Sequence, residues 1–342
     1  MTLFLDGDDV RALATHDVTM AAAQAAVTAE RAGRTVVPPR LDVDLEGGFL
    51  RVMPAAFDDV MGLKVMTLVR GLGTRYLILL YSQADGSLLG ILDADEVTRL
   101  RTAATTAAAG QLLAPDGTDT LGLIGSGFEA EGHLRAFARL WPLRRVLVYS
   151  RSRDRREAFA ARMARELDVA VDAVDEPAAA LGVAPVSVLA TKATEPVVDG
   201  GDFRPGAVVL SIGSTRPDLR ELDRATLRRA ALLLVDDPRQ VALESGDVID
   251  GLSCGAIDRG RIVGMADERA VPGDPCMARD GERDLLAFKS VGTAIQDLAL
   301  ATTLLTTAQR SGRGRDVGEL TRLKPFAAPP PDALTAITGG AQ

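Results

Sequence analysis

Leu121-Gly-Leu-Ile-Gly-Ser-Gly-Phe-Glu-Ala130 is the stretch on which the fold turns. It holds Gly125-x-Gly127-x-x-Ala130 between an apolar run and a helical pattern. Each small residue has a mechanical reason to be there. Gly125 permits a tight turn, Gly127 lets backbone approach a pyrophosphate, and Ala130 lets a helix pack closely on a strand. The loop peptides, Ser126, Phe128 and Glu129 included, and the free N–H groups of the following helix then face an anion. The other reading is an ordinary glycine turn. Context separates the two. Short apolar runs at 120–124, 146–149, 186–190, 207–212 and 231–235 alternate with helical stretches. That alternation predicts parallel βαβ units in a doubly wound sheet.

The end of the second run bears on the choice of nucleotide. An acid there binds the ribose hydroxyl of NAD. This chain has Tyr149-Ser-Arg-Ser-Arg153 instead, with no carboxylate before Asp154. Ser150, Arg151, Ser152 and Arg153 suit a 2′-phosphate through charge-assisted hydrogen bonds. The expectation is NADP(H) over NAD(H), the alternative being a solvated basic loop.

Upstream, residues 1–115 read as mixed α+β. The pattern predicts a helix over 10–33, ending at Gly33, and a half-buried strand at 41–45. Further strands follow at 49–53, 62–69, 76–81 and 88–92, with a hairpin turn at Ala84-Asp-Gly-Ser87. A helix starts at Asp93, with Glu96 in a capping box, and stops before Pro115. Downstream, the spacing of Val291, Ala294, Ile295, Leu298, Ala301, Leu305 and Ala308 predicts an amphipathic helix over 290–309. Beyond Gly314 a proline-rich tail (Pro329, Pro330, Pro331) is expected to fray.

Composition narrows the function. The 342 residues leave room for about two domains. A net charge of −8 disfavours nucleic acid and membrane surfaces as partners. No apolar run approaches the roughly 18 residues of a membrane span. The N-terminus, with Asp6, Asp8 and Asp9, lacks a basic leader, so a cytoplasmic location is expected. Cys254 and Cys276, with no histidine near them, match no zinc spacing and read as plain thiols in a reducing compartment. His16 and His133 alone cannot build a multi-histidine site, so no metal is expected; both read as surface or packing residues before catalysts. Three cations stand in apolar or turn settings: Arg40, Lys64 and Arg101. Each alone reads as solvated. Together they suit a carboxylate, but spacing does not bring them together.

Several strings resemble the ornithine cyclodeaminase/mu-crystallin family. They are Pro39-Arg40, Val52-Met-Pro-Ala55, Gly62-Leu-Lys64, Gly86-x-Leu-Leu-x-x-Leu-Asp93, Arg101-Thr-Ala-Ala104 and the 125–130 loop. Later ones are Ala193-Thr-Glu-Pro196, Gly213-Ser-Thr-Arg-Pro-Asp218, Glu221-Leu-Asp223, Glu244-x-Gly246-Asp247 and Phe288-Lys-Ser-Val-Gly292. They run in order over about residues 36–311. The resemblance implies an α/β fold in two parts: a Rossmann-type doubly wound parallel-sheet domain over 116–309, and an α+β substrate-binding and dimerisation domain over 1–115 with 310–342. It implies a homodimer acting on a small imino or amino acid. Arg40, Lys64 and Arg101 are then expected on the substrate carboxylate, and Thr191, Gly213, Ser214 and Ser290 near the cofactor.

The departures point to a branch. Cyclodeaminases resemble one another in an acid at the position of Thr215 and a glutamate at the position of Arg51. Without them, a cycle that moves protons on nitrogen lacks its acid/base groups. The resemblance therefore favours the ketimine-reductase branch, reducing a C=N bond beside a carboxylate, or the reverse oxidation of an amino acid. A cyclodeaminase releasing ammonia and a non-catalytic NADPH- or ligand-binding protein are the alternatives. In the favoured reading Lys64, its pKa depressed by neighbouring cations, donates the proton, with Thr215 as a relay. Purely electrostatic pairing of Lys64 with the carboxylate is the other role.

Overall fold

The computed structural model describes residues 2–274 and 277–324, so Cys276 and the proline run lie outside the described residues. The first half forms β1 (Leu3–Leu5), α1 (Gly7–Leu13), α2 (His16–Arg31), β2 (Thr35–Val36), β3 (Leu41–Leu45), β4 (Gly48–Phe57), β5 (Val60–Val69), β6 (Gly73–Ser82), β7 (Leu88–Asp93) and α3 (Asp95–Leu113). β4, β5, β6 and β7 pair antiparallel in sequence order, as the hairpin signal implies.

Three local expectations in this half need correction. The helix predicted over 10–33 is two helices, parted at Ala14 and Thr15; Thr15 Oγ1 accepts from the Val18 N–H at 3.4 Å and starts α2 afresh. The 41–45 strand forms, but it is exposed throughout, because it pairs only with β4. Asp93 does not begin α3. Its carboxylate accepts from the Asp95 N–H at 3.1 Å, while Glu96 is taken by Arg99 and closes no capping box. Those at the end of the chain are taken up below.

The second half forms β8 (Thr120–Ile124), α4 (Phe128–Leu140), β9 (Arg145–Tyr149), α5 (Arg153–Leu167), β10 (Ala170–Ala173), α6 (Pro177–Leu181), β11 (Val186–Leu189), β12 (Val208–Ser211), α7 (Arg224–Arg229), β13 (Ala230–Val235), α8 (Pro238–Glu244), α9 (Gly246–Ser253), β14 (Ile262–Gly264) and β15 (Leu285–Lys289). Its strands make one parallel sheet in the order β10-β9-β8-β11-β12-β15-β13-β14. This is the doubly wound sheet expected, with its strand order reversing between β8 and β11. A crevice opens at such a point, outside the carboxyl ends of the strands. β10, β14 and β15 escaped the sequence reading. The first two are too short to show a period, and β15 sits in the string Leu285-Leu-Ala-Phe-Lys289, which carries no turn signal of its own.

The chain leaves this sheet through residues 290–293 and enters α10 (Ala294–Ser311). α10 packs against α2, α3, β4, β5 and β6, in the core of the first half. It therefore returns to the first sheet well before residue 310, where the sequence placed the crossing. Residues 294–301 are buried on every side, so the stripe expected of an amphipathic helix is lost there. After it, β16 (Arg315–Asp316) pairs antiparallel with β1, joining Leu3 to Asp316 and Phe4 to Arg315. The tail expected to fray beyond Gly314 thus begins as an ordered strand. The first sheet runs β16-β1-β7-β6-β5-β4-β2, with β3 beside β4. Among the described residues no helix is long and apolar enough to cross a membrane.

Candidate active site

Two clefts meet at the seam between the sheets. The first lies at the carboxyl ends of β8, β9 and β11. Gly125 has φ +128°, and a Cβ there would stand 2.5 Å from the Ala190 carbonyl oxygen, so only glycine is tolerated. Gly127 caps α4, and no atom lies within 4 Å of where its Cβ would be. Ala130 is fully buried beneath the helix. The result is an open cradle of backbone N–H groups at the start of a helix, which suits a pyrophosphate.

The rim of this cleft carries Ser126, Ser150, Arg151, Arg155 and Thr191. Ser126 Oγ donates to Ser150 Oγ at 2.9 Å. Ser152 instead caps α5, accepting from the Arg155 N–H at 3.4 Å. Arg153 is spent on Glu157 at the surface. Arg151 and Arg155 form no ion pair among the described residues, so two guanidinium groups at the end of β9 are available to an anion. Arg155 was missed in the sequence because it lies beyond the strand end, in the first turn of α5. Phe128 is half exposed under the Arg99 guanidinium, 5.3 Å from the ring centre.

The second cleft takes Arg40 from the turn before β3, Lys64 from β5 and Arg101 from α3. Thr215, Ser290, Glu129 and Lys192 line it too. Lys192 lines both clefts, which places them side by side. The three cations foreseen separately in the sequence are thus brought to one cavity.

Their partners explain how they stay there. Lys64 Nζ donates to the two oxygens of Asp297, on α10, at 3.0 and 2.9 Å. Arg101 Nε donates to the same carboxylate at 2.9 Å, and its Nη1 to Gln296 Oε1 at 2.8 Å. Gly292 has φ +78°, and a Cβ there would stand 2.7 Å from Arg101 Nη1, so the turn needs glycine to admit the guanidinium. Arg40 Nη2 donates to the carbonyls of Val291 and Gly292 at 3.3 and 3.0 Å and pairs with Glu244. Its Nε is buried without a partner. Ser290 Oγ donates to Asp236 at 2.7 Å, and that carboxylate also takes the Gly292 N–H, shaping the turn. Arg51 lines the cavity as well, held by both oxygens of Asp42 at 2.7 and 2.6 Å.

The electrostatics follow from burial. Lys64 is pushed down to about 8, first by desolvation and then by Arg101 and Arg40, while Asp297 pulls the other way. Burial would raise the Asp297 carboxyl, but Arg101 and Lys64 overcome it and hold it low. Lys192 is also lowered by burial, against the charges of Glu129 and Glu221. The depression expected of Lys64 is present, but desolvation is its first cause and the neighbouring cations come second.

Gly213 and Ser214 do not line either cleft; they belong to a buried frame behind them. Glu221 accepts from the Thr191 N–H at 2.6 Å, Ser211 Oγ at 2.7 Å and the Gly213 N–H at 2.8 Å. Ser214 Oγ donates to Asp247, which also accepts from the Glu221 N–H at 2.7 Å. Lys289, fully buried, lies 3.5 Å from Asp247 and 3.8 Å from Glu221. This frame holds the loops after β11 and β12. His133 is also buried, with Nδ1 2.7 Å from the Glu129 carbonyl and Nε2 3.0 Å from Thr106 Oγ1, a packing residue between α4 and α3. Asp297 was missed altogether. The signal was an acid inside an apolar helical run, between Ile295 and Leu298.

A family profile described as ornithine cyclodeaminase/mu-crystallin matches residues 1–312. The mouse (Mus musculus) ketimine reductase mu-crystallin is 34% identical over 289 residues, covering 82% of this chain and 85% of its own. The solved structure of Thermococcus litoralis Delta(1)-pyrroline-2-carboxylate reductase, in complex with NADH and L-proline, superposes with a TM-score of 0.84 at 30% identity, over 92% of this chain and all (100%) of that one. An archaeal alanine dehydrogenase dimer with bound NAD superposes with a TM-score of 0.84 at 27% identity, over 93% and 99% of the two chains.

Proposed function

The chain belongs to the ornithine cyclodeaminase/mu-crystallin family, and from that premise we propose that it reduces the C=N bond of an α-imino acid or cyclic ketimine with a nicotinamide dinucleotide. The observation that carries this reading is the meeting of Arg40, Lys64 and Arg101 in a cavity that adjoins the dinucleotide cradle. The buried, unpaired Nε of Arg40 is a donor with no acceptor, which a substrate carboxylate supplies.

When bound, the reduced nicotinamide supplies the hydride. The cradle from Gly125 to Gly127 and the α4 N-terminus would hold its pyrophosphate, with Thr191 on the same cleft wall. Arg151 and Arg155 would hold a 2′-phosphate, which makes NADP(H) the favoured form. Arg40 and Arg101 grip the carboxylate and so set the distance and face of attack at Cα.

Each hydride that joins carbon needs a proton on nitrogen. Lys64 has three N–H bonds, and two are taken by Asp297. The third is free for the substrate, and a pKa of about 8 makes the ammonium a competent acid. Thr215 lines the same cavity and can relay the proton. Run backwards, the same groups oxidise an amino acid.

The cyclodeaminase reading is the weaker one. Arg51, held by Asp42, occupies the wall where an acid is expected, and Thr215 carries no charge. We further read the working form as a homodimer. Val36, Leu41, Val43 and Leu45 are exposed together along β2 and β3, a strip that a second copy can cover.

The test is NADPH oxidation against a panel of pyrroline, piperideine and open-chain imino acids, with ammonia measured in parallel. Turnover without net ammonia release supports the reading. Ammonia release from ornithine or lysine with no net change in NADPH would replace it with the cyclodeaminase.

A further inference from the structure

Among the described residues, five buried side-chain polar atoms have no hydrogen-bond partner: Arg40 Nε, Glu129 Oε2, Ser187 Oγ, Thr293 Oγ1 and Thr302 Oγ1. Only two of these belong to charged groups. Both residues line the same cavity. One is a donor and the other an acceptor. A buried charged group with one polar atom left unsatisfied marks a place where a ligand can complete the bonding.

The donor, on Arg40, is already matched to the substrate carboxylate. The acceptor needs a different group. We propose that Glu129 receives the N–H of the substrate nitrogen, and so selects α-imino and α-amino acids over their oxygen isosteres. This inference rests on the imino-acid reading above and adds a specificity determinant to it.

The placement of Glu129 favours this over its expected role in the dinucleotide loop. A carboxylate aimed at a pyrophosphate would repel it. Glu129 is the second residue of α4, but its side chain turns away from the cradle: it lines the cavity shared with Lys64 and Arg101 and is absent from the lining of the nucleotide cleft. The other carboxylates that serve this cavity are already committed. Asp297 holds Lys64 and Arg101, Glu244 holds Arg40, and Asp42 holds Arg51. Glu129 alone among them has an oxygen to spare. A protonated imine, or the ammonium of the reduced product, brings both a positive charge and an N–H. An ether of the same shape brings neither, and leaves the acceptor buried and unpaired; a hydroxy acid can donate its O–H but brings no positive charge.

The experiment is an equilibrium titration of NADPH-loaded protein with matched pairs: proline against tetrahydrofuran-2-carboxylate, and alanine against lactate. Wild type, Glu129→Gln and Glu129→Ala are compared, and NADPH affinity is measured separately for each. The expected wild-type preference for the amino acid is at least about tenfold, the size of a charge-assisted hydrogen bond. In both variants it shrinks at least about fivefold, with NADPH affinity unchanged. An unchanged preference in the variants, or none in wild type, overturns the role of Glu129 and leaves the imino-acid reading standing. Weakened NADPH binding in the variants assigns the carboxylate to the nucleotide and likewise overturns it. If NADPH-loaded wild type binds none of the four acids, the imino-acid reading itself fails, and this inference with it.

Discussion

Lys64 Nζ stands 3.0 and 2.9 Å from the two oxygens of Asp297, a residue 233 positions further along the chain. One comes from the middle of an antiparallel sheet and the other from the helix that returns to cover it. Neither is exposed beyond 2%. A buried pair of this kind is weak evidence for stability, because desolvation offsets much of the attraction. Its value here is to keep a proton-bearing nitrogen in place inside a cavity.

Removing one partner tests that value. Asp297→Ala leaves two buried cations on an empty site and is expected to cost about 3–5 kcal/mol of stability, read by denaturant unfolding. Asp297→Asn keeps the shape and removes the charge that holds Lys64 up. Its alkaline limb in kcat/KM should therefore move to lower pH than in wild type. A residue of structural importance alone would reduce activity without moving the limb.

The wild-type profile has a definite sign. If Lys64 is the acid, kcat/KM is flat below its pKa and falls as pH rises through about 8. Lys64→Arg stays protonated over that range, so whatever activity it retains should show no such limb. Stability runs the opposite way. The folded-state pKa lies below the unfolded 10.5, so folding releases a proton between about 8 and 10.5 and this group's contribution improves with pH across that window. The increment should vanish in Lys64→Met when thermal unfolding is compared across the window.

Carboxylate binding is probed by Arg40→Ala and Lys64→Ala. Each should lower kcat/KM at least about tenfold, or about 1.4 kcal/mol of transition-state stabilisation. Wild-type kinetics in both would reject the site.

Nucleotide choice rests on Arg151 and Arg155. The double change to alanine should raise KM for NADPH at least about tenfold and leave KM for NADH within a factor of about two. Equal weakening of both nucleotides would place these side chains elsewhere on the cofactor.

The exposed strip on β3 predicts association. Val43→Glu with Leu45→Glu should shift a dimer to a monomer in size-exclusion chromatography, with the parallel sheet intact by circular dichroism. A wild-type protein that runs as a monomer would remove the premise.

Much of this molecule was legible before any coordinates. The Gly125-x-Gly127-x-x-Ala130 string specified its own local geometry, because a positive φ and a close helix–strand approach are demands that only small residues meet. The alternation of apolar runs and helices then fixed the parallel sheet around it. Arg40, Lys64 and Arg101 could be singled out by residue type and by resemblance. Their convergence was a matter of tertiary structure, since a turn, a strand and a helix carry them and no spacing along the chain relates the three. The same holds for Glu244 on α8, Asp297 on α10 and Lys192 in the loop after β11, none of which any spacing relates to the three cations. The 41–45 strand and the 290–309 helix show the limit most directly. Period alone told that each would form, but burial depends on what packs against it, and that is settled only when the chain folds back: β3 has one neighbour and stays exposed, while the first two turns of α10 are enclosed on all sides and carry an acid into the core.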